Sequence, residues 1–201
     1  IPCKMKKLFL IVAAFALLFN TQAQVPYVPT ESNLQARTEF QDAKFGIFIH
    51  WGLYAMLATG EWTMTNKNIN YKEYEKLANA FYPHNFNAKE WVDAIKGSGA
   101  KYICFTSRHH EGFSMWDTDQ SDYNIVDATP YGKDVVRQLA DECSRQDMKL
   151  HLYYSLIDWW RDDAPRGRTG YSHKLSALLR IHEKPTDGTA DQLRRNRCHL
   201  V

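Results

Sequence analysis

What this 201-residue chain lacks bounds it before any motif does. Only four cysteines occur, and they do not make a usable set. Cys3 precedes the first methionine, Cys198 lies in a compositionally different tail, and no Cys-x-x-Cys spacing exists. A disulfide framework and a cysteine-based zinc site are both excluded. No Gly-x-Gly-x-x-Gly or Walker sequence is present, which removes the usual phosphate cradles. The longest apolar run, Leu8–Phe19, is too short to span a bilayer as a permanent helix. With ten glycines and seven prolines, 44% hydrophobic and 24% charged residues, the chain is neither collagen-like nor disordered.

That short run has a different reading. Lys6 and Lys7 precede it, and Thr21-Gln22-Ala23 follows as a small-x-small cleavage sequence. Met5–Ala23 therefore reads as a secretory signal, and residues 1–23 are set apart as leader. The expectation is an exported protein, periplasmic or extracellular (lysosomal in a eukaryote), without a stable membrane anchor. Residues 24–165 carry net charge −6 and residues 166–201 net +5. No aromatic residue interleaves Arg194, Arg195 and Arg197, so no nucleic-acid partner is expected of this tail.

Six Trp, eleven Tyr and ten Phe supply flat apolar faces, some of which suit sugar rings although most aromatics serve cores. Residues 24–39 are polar and read as a lead-in. Phe45–Gly52 (FGIFIHWG) reads as a buried strand, Tyr102–Thr106 as a second, and Lys149–Leu156 as a third. Tyr71, Tyr74, Leu77, Ala78 and Phe81 recur at helical spacing before Pro83; Trp91, Val92 and Ile95 repeat that spacing before Gly97 and Gly99. Asp134 is placed to cap a helix with the stripe Val135, Val136, Leu139, Ala140 and Cys143. Cys104 and Cys143 read as small core residues. Strands alternating with helices, and apolar along their length, predict an α/β fold of parallel βα units. Polar and aromatic clusters follow each strand, as on the catalytic face of a (β/α)8 barrel. A doubly wound sheet is the second choice.

The candidate site residues sit in those clusters. His109 and His110 point oppositely on a strand, but face one pocket if the chain bends there. A metal reading needs His50, His151 or Glu111 to converge with them, and lacks the i, i+4 histidine pair of a zincin. His50 either bonds to backbone at a strand end or contributes to a site. Glu61 and Trp62 beside Gly60 are either ligand groups or a solvated acid next to a packed indole. Alternation sends one of Tyr153 and Tyr154 toward the barrel interior and the other toward the helices; it does not say which.

FGIFIHWG, Gly60-Glu61-Trp62, Lys101–Thr118 (KYICFTSRHHEGFSMWDT) and Tyr131–Trp160 together resemble the α-L-fucosidases of glycoside hydrolase family 29. The resemblance covers roughly residues 40–169. It implies the N-terminal part of a (β/α)8 TIM barrel, incomplete, over residues 24–170. The implied activity is that of a retaining exo-glycosidase releasing terminal α-L-fucose from a fucosylated glycan or glycoconjugate, without cofactor or metal. It further implies that His50, Glu61, Trp62, His109, His110 and one of Tyr153 and Tyr154 bind fucose. The Asp nucleophile of a fourth strand and the later acid/base are expected beyond residue 201. This chain alone is therefore expected to be inactive, and a non-catalytic fucose-binding protein is the alternative.

Beyond Gly170 the resemblance fades. Reverse-translated one base forward, residues 181–201 permit an amphipathic helix and then a strand ending Ala-Ile-Trp-Phe, where the family's nucleophile strand belongs. Residues 171–201 are accordingly expected to be a frameshifted tail.

Overall fold

The computed structural model describes residues 28–160 and 199–200. Residues 1–27 and nearly all of the tail, on which the leader and frameshift expectations rest, lie outside the described residues. The chain divides into two compact units, residues 1–41 and 42–201.

The first unit holds most of helix α1 (Glu31–Ala43). The polar lead-in read at residues 24–39 thus includes the first turns of a helix. The helix has no buried residue and hence no apolar stripe for periodicity to detect. Local chemistry starts it: Thr30 Oγ1 accepts from Asn33 N at 3.2 Å, and Glu31 lies in the first turn.

In the second unit, strands β1 (Gly46–Ile49), β2 (Tyr102–Arg108), β3 (Lys149–Tyr154) and β4 (His199–Leu200) form a sheet in that order. All three pairings are parallel. Between β1 and β2 lie a 3-10 turn (Leu53–Leu57), short helices α2 (Thr63–Asn66) and α3 (Tyr71–Tyr74), a second 3-10 segment (Glu75–Ala80), and α4 (Ala88–Gly97). Helix α5 (Val135–Arg145) joins β2 to β3.

The caps follow side-chain chemistry. Asn87 accepts from Lys89 N and Glu90 N to open α4, and Asp134 accepts from Arg137 N to open α5, as expected. The helix expected to run from Tyr71 to Phe81 is α-helical only to Tyr74 and continues as the tighter 3-10 segment.

Register decides what each face carries. Ile47, Ile103 and Leu150 align across the sheet, as do Ile49, Phe105 and Leu152. Of those residues, Ile103, Phe105, Leu150 and Leu152 share one hydrophobic cluster with Val92 of α4 and with Val135, Val136, Leu139, Ala140 and Cys143 of α5, and Ile49 packs against it. Fully burying a Leu, Ile or Val contributes about 1.5–3 kcal/mol, so this face supplies the main stabilisation. Cys104 and Cys143 are buried, in keeping with a packing role. The opposite face carries Phe48, Cys104 and His151 in register, with Thr106 beside Tyr153.

The expectation that Phe45–Gly52 is a buried strand needs correction. Phe45 is 47% exposed and Phe48 53%. An edge strand has one neighbour, and alternation turns Phe48 to the face away from the α4–α5 core.

Candidate active site

The site is built where β1, β2 and β3 end. At the end of β1 alternation separates two aromatic residues. Trp51 turns inward, with its ring centroid 5.8 Å from Phe81, 5.7 Å from Phe86 and 5.2 Å from Trp91. His50 stays exposed on the other side, 6.0 Å from the Phe48 ring. Its Nδ1 lies 2.7 Å from Tyr54 Oη, which lies 3.0 Å from Thr106 Oγ1 on β2. Tyr54 comes into reach because the 3-10 turn starts immediately after Gly52.

At the end of β2 the chain bends. Gly112 N donates to His109 O at 3.1 Å, with Gly112 at φ 83°, a backbone region that favours glycine. The bend brings the two rings that a straight strand would oppose to 4.1 Å between centroids. His109 is 4% exposed and lies 5.0 Å from His50 and 5.3 Å from Tyr54. His110 is half-buried between Trp62 (5.2 Å) and Trp159 (5.0 Å), whose indoles are themselves 5.1 Å apart.

The end of β3 resolves the tyrosine alternation. Tyr153 stacks on His109 at 6.0 Å and meets Phe48 edge-on. Tyr154 points to other partners: its hydroxyl accepts from Arg108 Nη1 at 2.7 Å, and its ring lies 6.0 Å from Trp116. His50, His109, His110, Trp62 and Tyr153 thus converge, whereas Tyr154 belongs to a neighbouring buried network. Glu61 is half-buried, and its charge opposes the lowering of the His50 and His110 pKa values.

Burial sets the charge of the site. Desolvation, reinforced by the His109 ring, holds His110 down to about 4, and the same two causes lower His50. Both imidazoles are neutral at pH 7. Beneath them Glu111 is fully buried, and desolvation raises its pKa. His109 Nδ1 approaches Glu111 Oε2 at 3.4 Å, too poorly aligned to satisfy either atom fully. Neutral imidazoles each offer one donor and one acceptor, and the indoles offer flat apolar faces. Among the described residues no group of His, Cys, Asp or Glu is disposed to hold a metal ion.

Four contributors were not assigned from the sequence. Tyr54, Thr106 and Ser155 anchor histidine rings, and Trp159 packs on His110. Trp159 falls in the polar-aromatic stretch after β3, so a signal existed. The other three carry no local signature, because a hydroxyl near a histidine is decided by strand register.

Parallel strands with helical crossovers define an α/β protein, and in such folds the face beyond the strand C-termini, where the polar-aromatic cluster lies, is where ligand sites form. The chain belongs to the α-L-fucosidase family, whose model matches residues 14–177. It is 38% identical over 153 residues to the human plasma α-L-fucosidase, covering 66% of this chain and 32% of that protein. It is 35% identical over 192 residues to a Caenorhabditis elegans protein described as a putative α-L-fucosidase, covering 83% and 40%. Among solved structures, an α-L-fucosidase from Lactobacillus casei in complex with α-L-fucose superimposes with TM-score 0.61 at 38% identity, covering 63% and 42%. A bacterial fucosidase bound to an iminocyclitol inhibitor gives TM-score 0.69 at 28% identity, covering 83% and 41%. The chain thus spans about two fifths or less of the length of the curated relatives it matches.

Proposed function

We propose that this chain is the N-terminal, sugar-binding part of an exported retaining α-L-fucosidase acting on terminal fucose of glycans. The observation that carries the reading is the convergence of His50, His109, His110, Trp62 and Tyr153 beyond three parallel strands, in a chain of this family. In this reading the sheet is the first portion of a (β/α)8 barrel, and the leader at residues 5–23 directs export.

The imidazoles and Tyr153 hydrogen-bond the hydroxyls of fucose, Glu61 approaches from the rim, and Trp62 lies against an apolar face of the ring. Such bonds promote reaction insofar as they strengthen while oxocarbenium character develops. Retention needs two carboxyl groups about 5–5.5 Å apart flanking the glycosidic bond. Glu111 lies against His109, and in this reading this portion supplies binding while the nucleophile and acid/base come from further along the family's barrel. The 201-residue chain then binds fucose without cleaving fucosides.

A fluorogenic aryl α-L-fucoside distinguishes the possibilities. The expected result is turnover by a full-length protein carrying residues 28–160 and none by the 201-residue chain. Absence of turnover in the full-length protein, with fucose still bound, favours the non-catalytic fucose-binding alternative. Turnover by the 201-residue chain that Glu61→Gln abolishes makes Glu61 catalytic and overturns the division of labour.

A further inference from the structure

We infer that Tyr54, Thr106 and Ser155 are positioning residues that hold His50 and His110 in one tautomer, with the proton on Nδ1. Each ring then presents a bare Nε2 as acceptor for a hydroxyl hydrogen of the ligand. The tautomers follow from the hydrogens available at each contact; the identity of the ligand as a fucoside rests on the function proposed above.

Three contacts fix the tautomer of His110. Ser155 Oγ carries a single hydrogen, and it lies 2.8 Å from Ile157 O, a carbonyl that can only accept. The serine hydrogen is committed there. Ile157 N donates back to Ser155 Oγ at 3.1 Å. The remaining neighbour, His110 Nδ1 at 2.6 Å, faces an oxygen with no hydrogen left to give. Nδ1 must be the donor, and neutral imidazole has only one N–H, so Nε2 is bare.

At His50 the same logic runs through one more residue. Thr106 Oγ1 lies 2.7 Å from Trp51 O, which takes the threonine hydrogen, and accepts from Trp51 N at 2.9 Å. Were that hydrogen turned elsewhere, two oxygens would face each other at 2.7 Å with nothing between them. Tyr54 Oη, 3.0 Å from Thr106 Oγ1, therefore donates to it. With its hydrogen spent, the tyrosine oxygen accepts, and His50 Nδ1 at 2.7 Å donates. Tyr54 and Thr106 are 4% and 1% exposed and Ser155 3%, so bulk water does not replace these bonds.

Two unconnected parts of the fold, the turn after β1 and the loop after β3, thus impose the same proton placement. His109 differs, because its Nδ1 faces the Glu111 carboxyl and no committed hydroxyl. A pair of fixed acceptors selects ligands with adjacent hydroxyl donors. It disfavours the same ring carrying fluorine or methoxy groups there, which accept but do not donate.

The test is long-range 1H–15N correlation on the full 201-residue chain with 15N-labelled histidine at pH 7, which separates protonated from bare ring nitrogens. Assignment uses His50→Gln and His110→Gln. The expected result is a protonated Nδ1 and bare Nε2 at both residues. Ser155→Ala is expected to turn His110 into a mixture of tautomers while leaving His50 unchanged; Tyr54→Phe does the converse, and Ser155→Thr restores the single form. A proton on Nε2 of either wild-type ring overturns the inference whatever the variants do. So does a single unchanged tautomer in both Ser155→Ala and Tyr54→Phe. The same sample is then titrated with α-L-fucose. Movement of both Nε2 signals supports the acceptor role. Correct tautomers with no response to fucose leave the inference standing and reject fucose as the ligand. Deoxyfluoro fucoses lacking a donor at the contacted positions are expected to bind at least about tenfold more weakly.

Discussion

Arg108 Nη2 and Asp158 Oδ2 stand 2.6 Å apart, both buried, and tie the loop after β2 to the loop after β3. Arg108 also donates through Nε to Gly112 O at 3.2 Å and through Nη1 to Tyr154 Oη. Two backbone bonds reinforce the join, Ser155 N to Arg108 O at 3.1 Å and Trp159 N to His110 O at 2.7 Å. The loop that carries Ser155 and Trp159 is thereby held against the loop that carries His109 and His110.

Breaking that pair from one side leaves a buried guanidinium uncompensated. Asp158→Ala is expected to cost about 3–5 kcal/mol of stability. The double replacement Arg108→Met with Asp158→Leu is expected to cost less, since no lone charge remains. Urea denaturation of the chain and its two variants measures both; equal losses would count against the pair as an electrostatic latch.

Gly112 is required twice over. Its φ of 83° is strained for other residues, and a Cβ there would collide with Asp158 Oδ1 and come within 2.8 Å of Trp160 Cβ. Gly112→Ala is expected to lose about 1–3 kcal/mol from crowding alone and to displace Asp158. By contrast Gly97→Ala, where a Cβ meets nothing within 4 Å, is expected to be neutral or slightly stabilising, because helical glycine is entropically costly. The difference between their denaturation midpoints tests the site-specific clash.

Stability should depend on pH through the lowered histidines. Between the folded value of about 4 and the unfolded value of about 6.5, the unfolded chain holds a proton that folded His110 does not. Stability therefore rises with pH across that window and falls as pH drops through it, with His50 contributing in the same sense. Glu111, raised by burial, acts oppositely: its folded form keeps a proton the unfolded form has lost, so stability falls as pH rises above about 4.5. His110→Gln is expected to flatten the rise, which a series of urea midpoints from pH 4 to pH 7 shows. An unchanged slope would mean that His110 is not the titrating group.

If the full-length protein is the fucosidase proposed above, His109→Ala and His110→Ala are each expected to lower its kcat/KM by about 1–3 kcal/mol of transition-state stabilisation. Each leaves a ligand hydroxyl and a buried polar neighbour unpaired. Near-wild-type kcat/KM in both variants would make these rings structural and move the site elsewhere.

Local pattern alone located β2, β3, α4 and α5, because apolar strand runs, helical stripes and the Asp134 cap are written in contiguous residues. His50, His109 and His110 stand out in the sequence for a related reason: they follow directly on the strand-like runs ending at Ile49 and Arg108. Helix α1 escaped notice because an all-polar helix has no period to read. The exposure of Phe48 escaped it because composition cannot tell an edge strand from a central one. Only the tertiary structure decided that Tyr153 joins the histidines while Tyr154 joins Arg108, since that depends on which face of β3 meets the bend after β2. It alone decided the partners of His50 and His110 as well. Tyr54, Thr106 and Ser155 come from three segments far apart in the chain, and hydrogen bonds of that kind arise from strand register, a property that no stretch of sequence contains by itself.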